Sequence, residues 1–248
     1  MLRSKHRRGR HAGVDKALYV RSMFGRISDR YDLMNRLMTF GQDQAWRRFA
    51  ARQASVPPHG RVLDLATGTG DLALAVLEVQ PSATVVGVDF ALPMMRVGQA
   101  KLNGRPTQGI DFAGGDALQL PFDDNTFDAC LSAFMMRNVV DVPQAFREQQ
   151  RVIRPGARVV CLEVTQPATP LFRELFAIYF GHFVPAIGGL ISEGDAYAYL
   201  PASVWNFLTP PELAGVMREA GQHDVTYHKL ALGTVTVHVG AKPVISNQ

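Results

Sequence analysis

Cysteine is scarce in this chain of 248 residues: there are two, Cys130 and Cys161, each inside an apolar, strand-like run. Neither has metal-ligand spacing, and two such thiols do not make a disulfide framework. Reduced core thiols in an intracellular protein are therefore expected, with no metal site. Long apolar runs are also missing. The best candidate, LFAIYFGHFVPAIGGLI at 175–191, has no Asp, Glu, Lys or Arg but is interrupted by Gly181, His182, Pro185, Gly188 and Gly189. A bilayer core needs ~20 continuous apolar residues, so this stretch is not expected to span one. Acid is absent from the first thirteen residues, MLRSKHRRGRHAG, which hold five Lys and Arg and no apolar core of a signal peptide. Without those five, 21 of the 26 Lys and Arg remain against 22 Asp and Glu, so the rest of the chain is close to neutral. A neutral body argues against a nucleic-acid partner. The basic stretch reads as a disordered arm, with contact to anionic lipid or nucleic acid as its functional alternative.

What the chain does have is a hydrophobic share of 47%, enough for a real core, in a length that suits one large domain. Residues 15–55 carry apolar positions at helical spacing and end at VPPHG. Strand-like and helix-like runs then alternate. RVLDLA (61–66), TVVGVD (84–89), GIDFAGGD (109–116), FDACLSA (127–133) and RVVCLEV (158–164) read as strands, separated by helical stretches such as PQAFREQQRVI. Strands separated by ten to fifteen helical residues predict βαβ units and a parallel sheet, and apolar runs without alternation predict strands covered on both faces. DVTYHKLALG (224–233) and TVTVHVGAKP (234–243) alternate and predict a final antiparallel pair. The expected fold is thus α/β, Rossmann-like, with seven strands. The interval 166–208 breaks the alternation; forty aromatic-rich residues in a compact domain predict a helical segment with a function.

In LDLATGTGDLA a strand ends near Asp64, and Gly68 and Gly70 lie at the turn into a helix. Glycines let backbone approach a ligand, and a helix N-terminus offers unpaired N–H groups. Asp89 closes the next strand 19 residues beyond Gly70, where an acid can accept from ribose hydroxyls. Asp116, in GGDALQLPF, can read an adenine amino group after strand three. Two cofactors suit this geometry. Gly68-Thr69-Gly70-Asp71-Leu72-Ala73 formally matches the dinucleotide fingerprint, which would give an NAD-dependent oxidoreductase. The carboxylates of Asp64 and Asp71 beside the loop favour a ligand with a cationic end and no phosphate, namely S-adenosylmethionine. Asp71 has a plainer reading as an acid at a helix N-terminus.

VLDLATGTGD, GVD and GDALQLPFDDNTFD resemble the first motifs of class I S-adenosylmethionine-dependent methyltransferases. FGRISDRYDLMNRLMTFGQDQAWRR (24–48), MRNVVD (136–141) and SEGDAYAYLPASV (192–204) resemble, in order and spacing, the ubiquinone/menaquinone biosynthesis C-methyltransferase family, over roughly residues 20 to 243. The chain departs from that pattern at Thr67, at Ala133, where a side-chain hydroxyl contact to the cofactor is lost, and at His223. The resemblance implies a single methyltransferase domain, 15–248, with a helical cap (15–55) and a substrate insertion (166–208). It implies methyl transfer from S-adenosylmethionine to a ring carbon of a polyprenyl hydroquinone, demethylmenaquinol or its benzoquinol counterpart. The cofactor set it implies is Asp64, Gly68, Thr69, Gly70, Asp89, Asp116, Ala117 and Ala133. A non-catalytic cofactor-binding scaffold of a quinone-pathway complex is the alternative.

An apolar run is an odd place for Arg137-Asn138, in FMMRNVVD. Just past strand four they lie at the sheet edge where ligands of open α/β sheets sit. Arg137 is expected to stabilise phenolate charge and Asn138 to orient a hydroxyl or a water; an ion pair of Arg137 with an acid such as Asp141 is the structural alternative. Tyr31 and His182 are the other candidate catalytic groups. Phe176, Tyr179 and Phe183 recur at helical spacing and are expected to wall a groove for a polyprenyl tail or to lie on a bilayer surface. The expected partners are the lipid-soluble hydroquinone and, transiently, a membrane surface, with a homodimer as the self-association considered. The expected location is the cytoplasm, peripheral to the inner face of the membrane.

Overall fold

The computed structural model describes residues 2–102, 109–184, 186 and 194–244, with side chains left aside at 2–15 and 194–198. Seven strands form one sheet: β1 Arg61–Leu65, β2 Thr84–Asp89, β3 Ile110–Gly114, β4 Phe127–Ala133, β5 Ile153–Val164, β6 His223–Leu230 and β7 Val235–Ala241. Their order is β3-β2-β1-β4-β5-β7-β6. All pairings are parallel except those of β7, which runs antiparallel to β5 and β6. This is the expected mostly parallel sheet with a final antiparallel pair. One boundary differs. Pro155-Gly156 reads as the stop after a helix, but β5 already starts at Ile153 opposite Phe127, and the residues before Arg158 bulge out of register. Gly156, at φ 81°, takes the left-handed turn of that bulge.

The runs without alternation are the doubly covered strands. Ala129, Cys130 and Leu131 of β4 and Val159, Val160, Cys161 and Leu162 of β5 are wholly buried. On one face α5 (Val142–Val152) and α8 (Pro210–Glu219) pack Phe146, Leu213 and Met217 onto Phe127 and Leu63. On the other, α2 (Gln42–Gln53) and α3 (Asp71–Val79) pack Ala50, Leu72 and Val76 onto Val62, Leu131, Leu162 and Val237. Each such Leu or Phe contributes ~1.5–3 kcal/mol. α4 (Leu92–Leu102) lies against β2 and β3.

α1 runs Leu2–Thr39, so the backbone of the stretch read as a disordered arm is helical and continuous with the cap. Ala, Leu, Arg and Lys are good helix formers, and charge alone is no bar to helix there. The helix stops at Phe40-Gly41, where Gly41, at φ 75°, donates its N–H to the Arg36 carbonyl at 2.8 Å and closes the last turn. Between Gln166 and Leu208 the chain forms α6 (Pro170–Ile178), a π-helical segment Tyr179–Phe183, and α7 (Gly194–Trp205). Met23, Ile27 and Met34 of α1 pack with Phe176, Phe180, Val184 and Val204 in a third apolar cluster. That cluster shapes the site.

Candidate active site

The turn from β1 to α3 is built from left-handed residues: Ala66 at φ 56°, Gly68 at 57° and Gly70 at 80°. β2 comes close beneath it, and a Cβ on Gly87 would sit 2.8 Å from the Thr67 hydroxyl. Asp89 braces the loop. Its Oδ2 accepts from the Gly68 N–H and its Oδ1 from the Ala91 N–H, both at 2.8 Å. Its carboxylate also borders a cleft of about 1020 Å³ at the carboxyl ends of the strands, together with Ala66, Asp116, Ala117, Met135 and Asn138. Asp116 accepts from the Leu118 N–H with Oδ1 at 2.9 Å and is otherwise exposed.

The other loop residues point elsewhere. Asp64 is 1% exposed, does not line the cleft, and takes the Thr67 hydroxyl at 2.7 Å, leaving Oδ1 without a partner. Burial pushes its carboxyl up to about 7. Thr69 is buried and donates its hydroxyl to Asp32 of α1 at 2.5 Å. Asp71 is the acid at the start of α3, held by Lys101 at 2.6 Å and Gln44 at 3.1 Å, and Lys101 reaches Asp32 at 2.6 Å as well. Lys101 holds the Asp71 carboxyl below its usual range, although burial works in the other direction. Gly68 and Gly70 shape the turn, and Ala133 packs in the core against β5.

Among the described residues, the charged groups in the cleft wall are Asp89, Asp116, Asp141 and one cation, Arg21 of α1. A pyrophosphate would meet that net negative wall, and the nearby Lys101 is already shared by two carboxylates. A ligand with a cationic end, a ribose and no phosphate fits. Asp89 and Asp116 are the residues that would hold its ribose and base.

A second, more enclosed cavity of about 210 Å³ lies between α1, α2, the end of β4, α6 and α7. Its wall is mostly apolar, with Met23, Ile27, Met34 and Phe180 from the third cluster. Asn138 lines both spaces, so one side chain stands between them. It donates to the Phe134 carbonyl at 3.1 Å and accepts from the Tyr199 hydroxyl at 3.1 Å. Arg137 lines the enclosed cavity, its side chain 7% exposed. The ion pair considered for it exists, but with Glu163 of β5 at 2.8 Å. Asp141 instead caps α5, accepting from the Gln144 N–H at 2.9 Å. The Arg137 Nε is buried and has no hydrogen-bond partner among the described residues. Glu163 is 1% exposed, and burial raises its carboxyl above the usual range while Arg137 counters it. Lys16 donates to the Arg137 and Val139 carbonyls at 3.2 and 3.0 Å and ties α1 over this turn. Phe134 holds a left-handed φ of 59°, a conformation that costs ~1–3 kcal/mol for a residue with a side chain. Its ring lies 5.3 Å from the Arg47 guanidinium and 5.8 Å from that of Arg137.

Tyr31, Phe176 and Tyr179 line the cavity; the Tyr179 hydroxyl donates to the Met38 carbonyl at 2.6 Å. Two expected residues do not. His182 is exposed with Nδ1 3.3 Å from the Ile178 carbonyl, and Phe183 is 57% exposed, stacked on the outer side of Tyr179. A π-helical turn takes more residues than an α-turn, so positions in phase with Phe176 on an α-helix fall behind and face outward. His182 is therefore not a base in this cavity. Sequence reasoning also passed over Glu163, an acid inside the apolar run RVVCLEV, the same kind of anomaly that marked Arg137. It passed over Asn35 in RYDLMN as well, which lines the cavity and whose amide Nδ2 is buried without a partner among the described residues.

The profile of the ubiE/COQ5 methyltransferase family matches residues 12–242. The chain belongs to this family. It is 48% identical over 228 residues to a demethylmenaquinone methyltransferase of Roseiflexus castenholzii, covering 92% of this chain and 94% of the relative. It is 46% identical over 222 residues to a demethylmenaquinone methyltransferase of Thermus thermophilus, covering 89% and 100%. To a ubiquinone/menaquinone biosynthesis C-methyltransferase of Desulfotalea psychrophila it is 44% identical over 230 residues, covering 92% of each. Among solved structures, a Haloferax volcanii complex of the Trm112 methyltransferase activator and its putative methyltransferase matches with a TM-score of 0.64 at 18% identity, over 89% of this chain and 98% of that one. That likeness shows the fold alone. As a member of the ubiE/COQ5 family the chain is an S-adenosylmethionine-dependent methyltransferase, and the NAD reading of the glycine loop falls away. The carboxyl-end cleft and the enclosed cavity share Asn138, the kind of adjacency that a methyl donor and its acceptor require.

Proposed function

We propose that the chain methylates a ring carbon of a polyprenyl hydroquinone of the demethylmenaquinol type. The observation that carries this reading is the enclosed, mostly apolar cavity lined by Arg137, whose buried guanidinium keeps Nε without a partner among the described residues, beside the residue shared with the carboxyl-end cleft. S-adenosylmethionine, when bound, supplies an electrophilic methyl group. The protein's part is to make a ring carbon nucleophilic and to aim it. A cation within ~4–6 Å favours loss of a phenolic proton, and the Arg137 guanidinium is the cation in this wall. Glu163 fixes the guanidinium through Nη1 and leaves Nε to the substrate oxygen. Asn138, pinned by Phe134 and Tyr199, orients the ring against the cofactor cleft, and Tyr31 adds a hydroxyl in the same wall. Exclusion of water by Met23, Ile27, Met34 and Phe180 strengthens the contact between guanidinium and phenolate.

The domain reading is one methyltransferase domain in which α1–α2 form a cap and 166–208 an acceptor-binding insertion. Leu171, Leu175 and Ile178, at helical spacing, and Phe183 leave apolar side chains exposed beside the cavity wall, which supports contact with the membrane surface that holds such a substrate. Among the described residues no helix is long and apolar enough to cross a membrane. The deciding experiment is methyl transfer to demethylnaphthoquinol and benzoquinol acceptors, with product analysis locating the new methyl group. Cofactor binding without transfer to either would refute the proposal. Arg137→Lys keeps the charge and loses the fork, and turnover is expected to fall by roughly 10²-fold at unchanged cofactor affinity.

A further inference from the structure

Two residues in the wall of the enclosed cavity carry a buried polar atom with no hydrogen-bond partner among the described residues: Arg137 at Nε and Asn35 at Nδ2. The first belongs to the reading above. The second stands in the apolar stripe of α1, between Met34 and Met38, where an aliphatic side chain would fill the space with no polar atom to satisfy. The neighbouring Thr39 hydroxyl lies within hydrogen-bond distance of the Asn35 backbone carbonyl, at 2.7 Å, and of Asp43, at 3.1 Å, and takes no hydrogen bond from Nδ2. The Tyr31 ring lies one helical turn away, about 6 Å along the axis, in the same wall.

We propose that Asn35 is a positioning and specificity residue that donates its amide N–H to the second ring oxygen of the acceptor, para to the oxygen held by Arg137. The inference rests on the hydroquinone reading and deepens it. A ring held by one oxygen can rotate about that contact and present either ortho carbon toward Asn138. A ring held by two oxygens, from α1 and from the end of β4, cannot. Asn35 thereby selects acceptors that carry both oxygens and fixes which carbon faces the cofactor cleft. A buried donor left unpaired is unfavourable, so an acceptor lacking the second oxygen binds more weakly to the wild-type wall than to a wall made apolar at that point.

The test compares a prenylated para-hydroquinone with its analogue lacking the remote hydroxyl, using the full chain and Asn35→Leu. The wild type is expected to prefer the diol. Asn35→Leu is expected to raise KM for the diol about tenfold, to leave KM for the mono-hydroxy analogue unchanged or lower, and to release a second regioisomer of the product. Asn35→Asp, of the same shape but without the N–H donor, gives the same loss of preference and stands in if the leucine variant fails to fold. An equal loss on both acceptors, or no change on either, overturns the inference while the hydroquinone reading stands. If the wild type methylates neither acceptor, the hydroquinone reading fails and this inference with it.

Discussion

The Arg137–Glu163 pair makes a quantitative claim that a thermodynamic cycle can break. Both side chains are nearly dry, at 7% and 1% exposed, and meet at 2.8 Å. Glu163→Leu leaves a guanidinium in that setting with no counter-charge, and removal of one partner of a buried pair costs about 3–5 kcal/mol. Arg137→Met leaves the opposite orphan. Glu163 is the more forgiving of the two, because its carboxyl is already displaced toward the neutral form by burial and can take up a proton. A loss nearer 3 kcal/mol is expected there. The double replacement removes both charges and puts apolar volume against Phe134, Val164 and Tyr199, so its loss should fall well short of the sum of the two single losses. The coupling energy expected is about 2–3 kcal/mol. Urea unfolding followed by circular dichroism at pH 7.5, extrapolated linearly to water, measures all four corners. If the double loss equals the sum of the singles within ~0.5 kcal/mol, Glu163 does not hold Arg137, and the account of why Nε is left free for a substrate is wrong.

His238, wholly buried, contacts the Pro210 carbonyl at 2.9 Å through Nε2, and burial lowers its pKa to about 4. The unfolded chain then binds the proton more readily, so stability present above pH ~6.5 is lost as pH falls toward 4, about 3 kcal/mol in all; His238→Phe should flatten the urea-midpoint profile in that window relative to wild type. Lys101→Met removes the cation that bridges Asp32 and Asp71, and hydrogen exchange should quicken in α1 around residues 28–36 before it changes in the sheet strands. His182→Ala and Phe183→Ala should leave turnover of a detergent-solubilised acceptor within about twofold, whereas Phe176→Ala, 7% exposed and in the cavity wall, should cost several kcal/mol of stability and raise acceptor KM.

The sheet was legible because strands covered on both faces spell themselves out as apolar runs, and RVLDL, TVVGVD and FDACLSA are such runs. The cleft residues Asp89 and Asp116 were legible for a related reason: Asp89 closes β2 and Asp116 follows the end of β3, where topology decides the location. Distance in sequence hid the rest. Glu163 lies 26 residues from Arg137, and no local pattern joins them. Thr69 and Asp71 stand in the glycine loop yet turn toward Asp32 and Lys101, contacts that require α1 and α4 to be in place. His182 and Phe183 were misread because an aromatic stripe was counted at 3.6 residues per turn through a segment that opens into a π-helix. Asn35 lay inside a quoted motif, but a single amide in an apolar stripe carries no signal until the cavity beside it is seen.

α1 also sets a schedule for the chain during its own synthesis. Its apolar stripe leaves the ribosome before the groups that cover it: Tyr179 reaches back to Met38 across 141 residues, and Lys16 meets Arg137 across 121. At ~5–20 residues per second, 141 residues take on the order of 10 s, longer than most small domains need to fold. For that interval Met23, Ile27, Met34 and Met38 have no partner from the α6–α7 segment, and the nascent chain displays a sticky helix before its own cover exists. The enclosed cavity thus closes only after the α6–α7 segment has been made, and the helix that walls it needs protection until then.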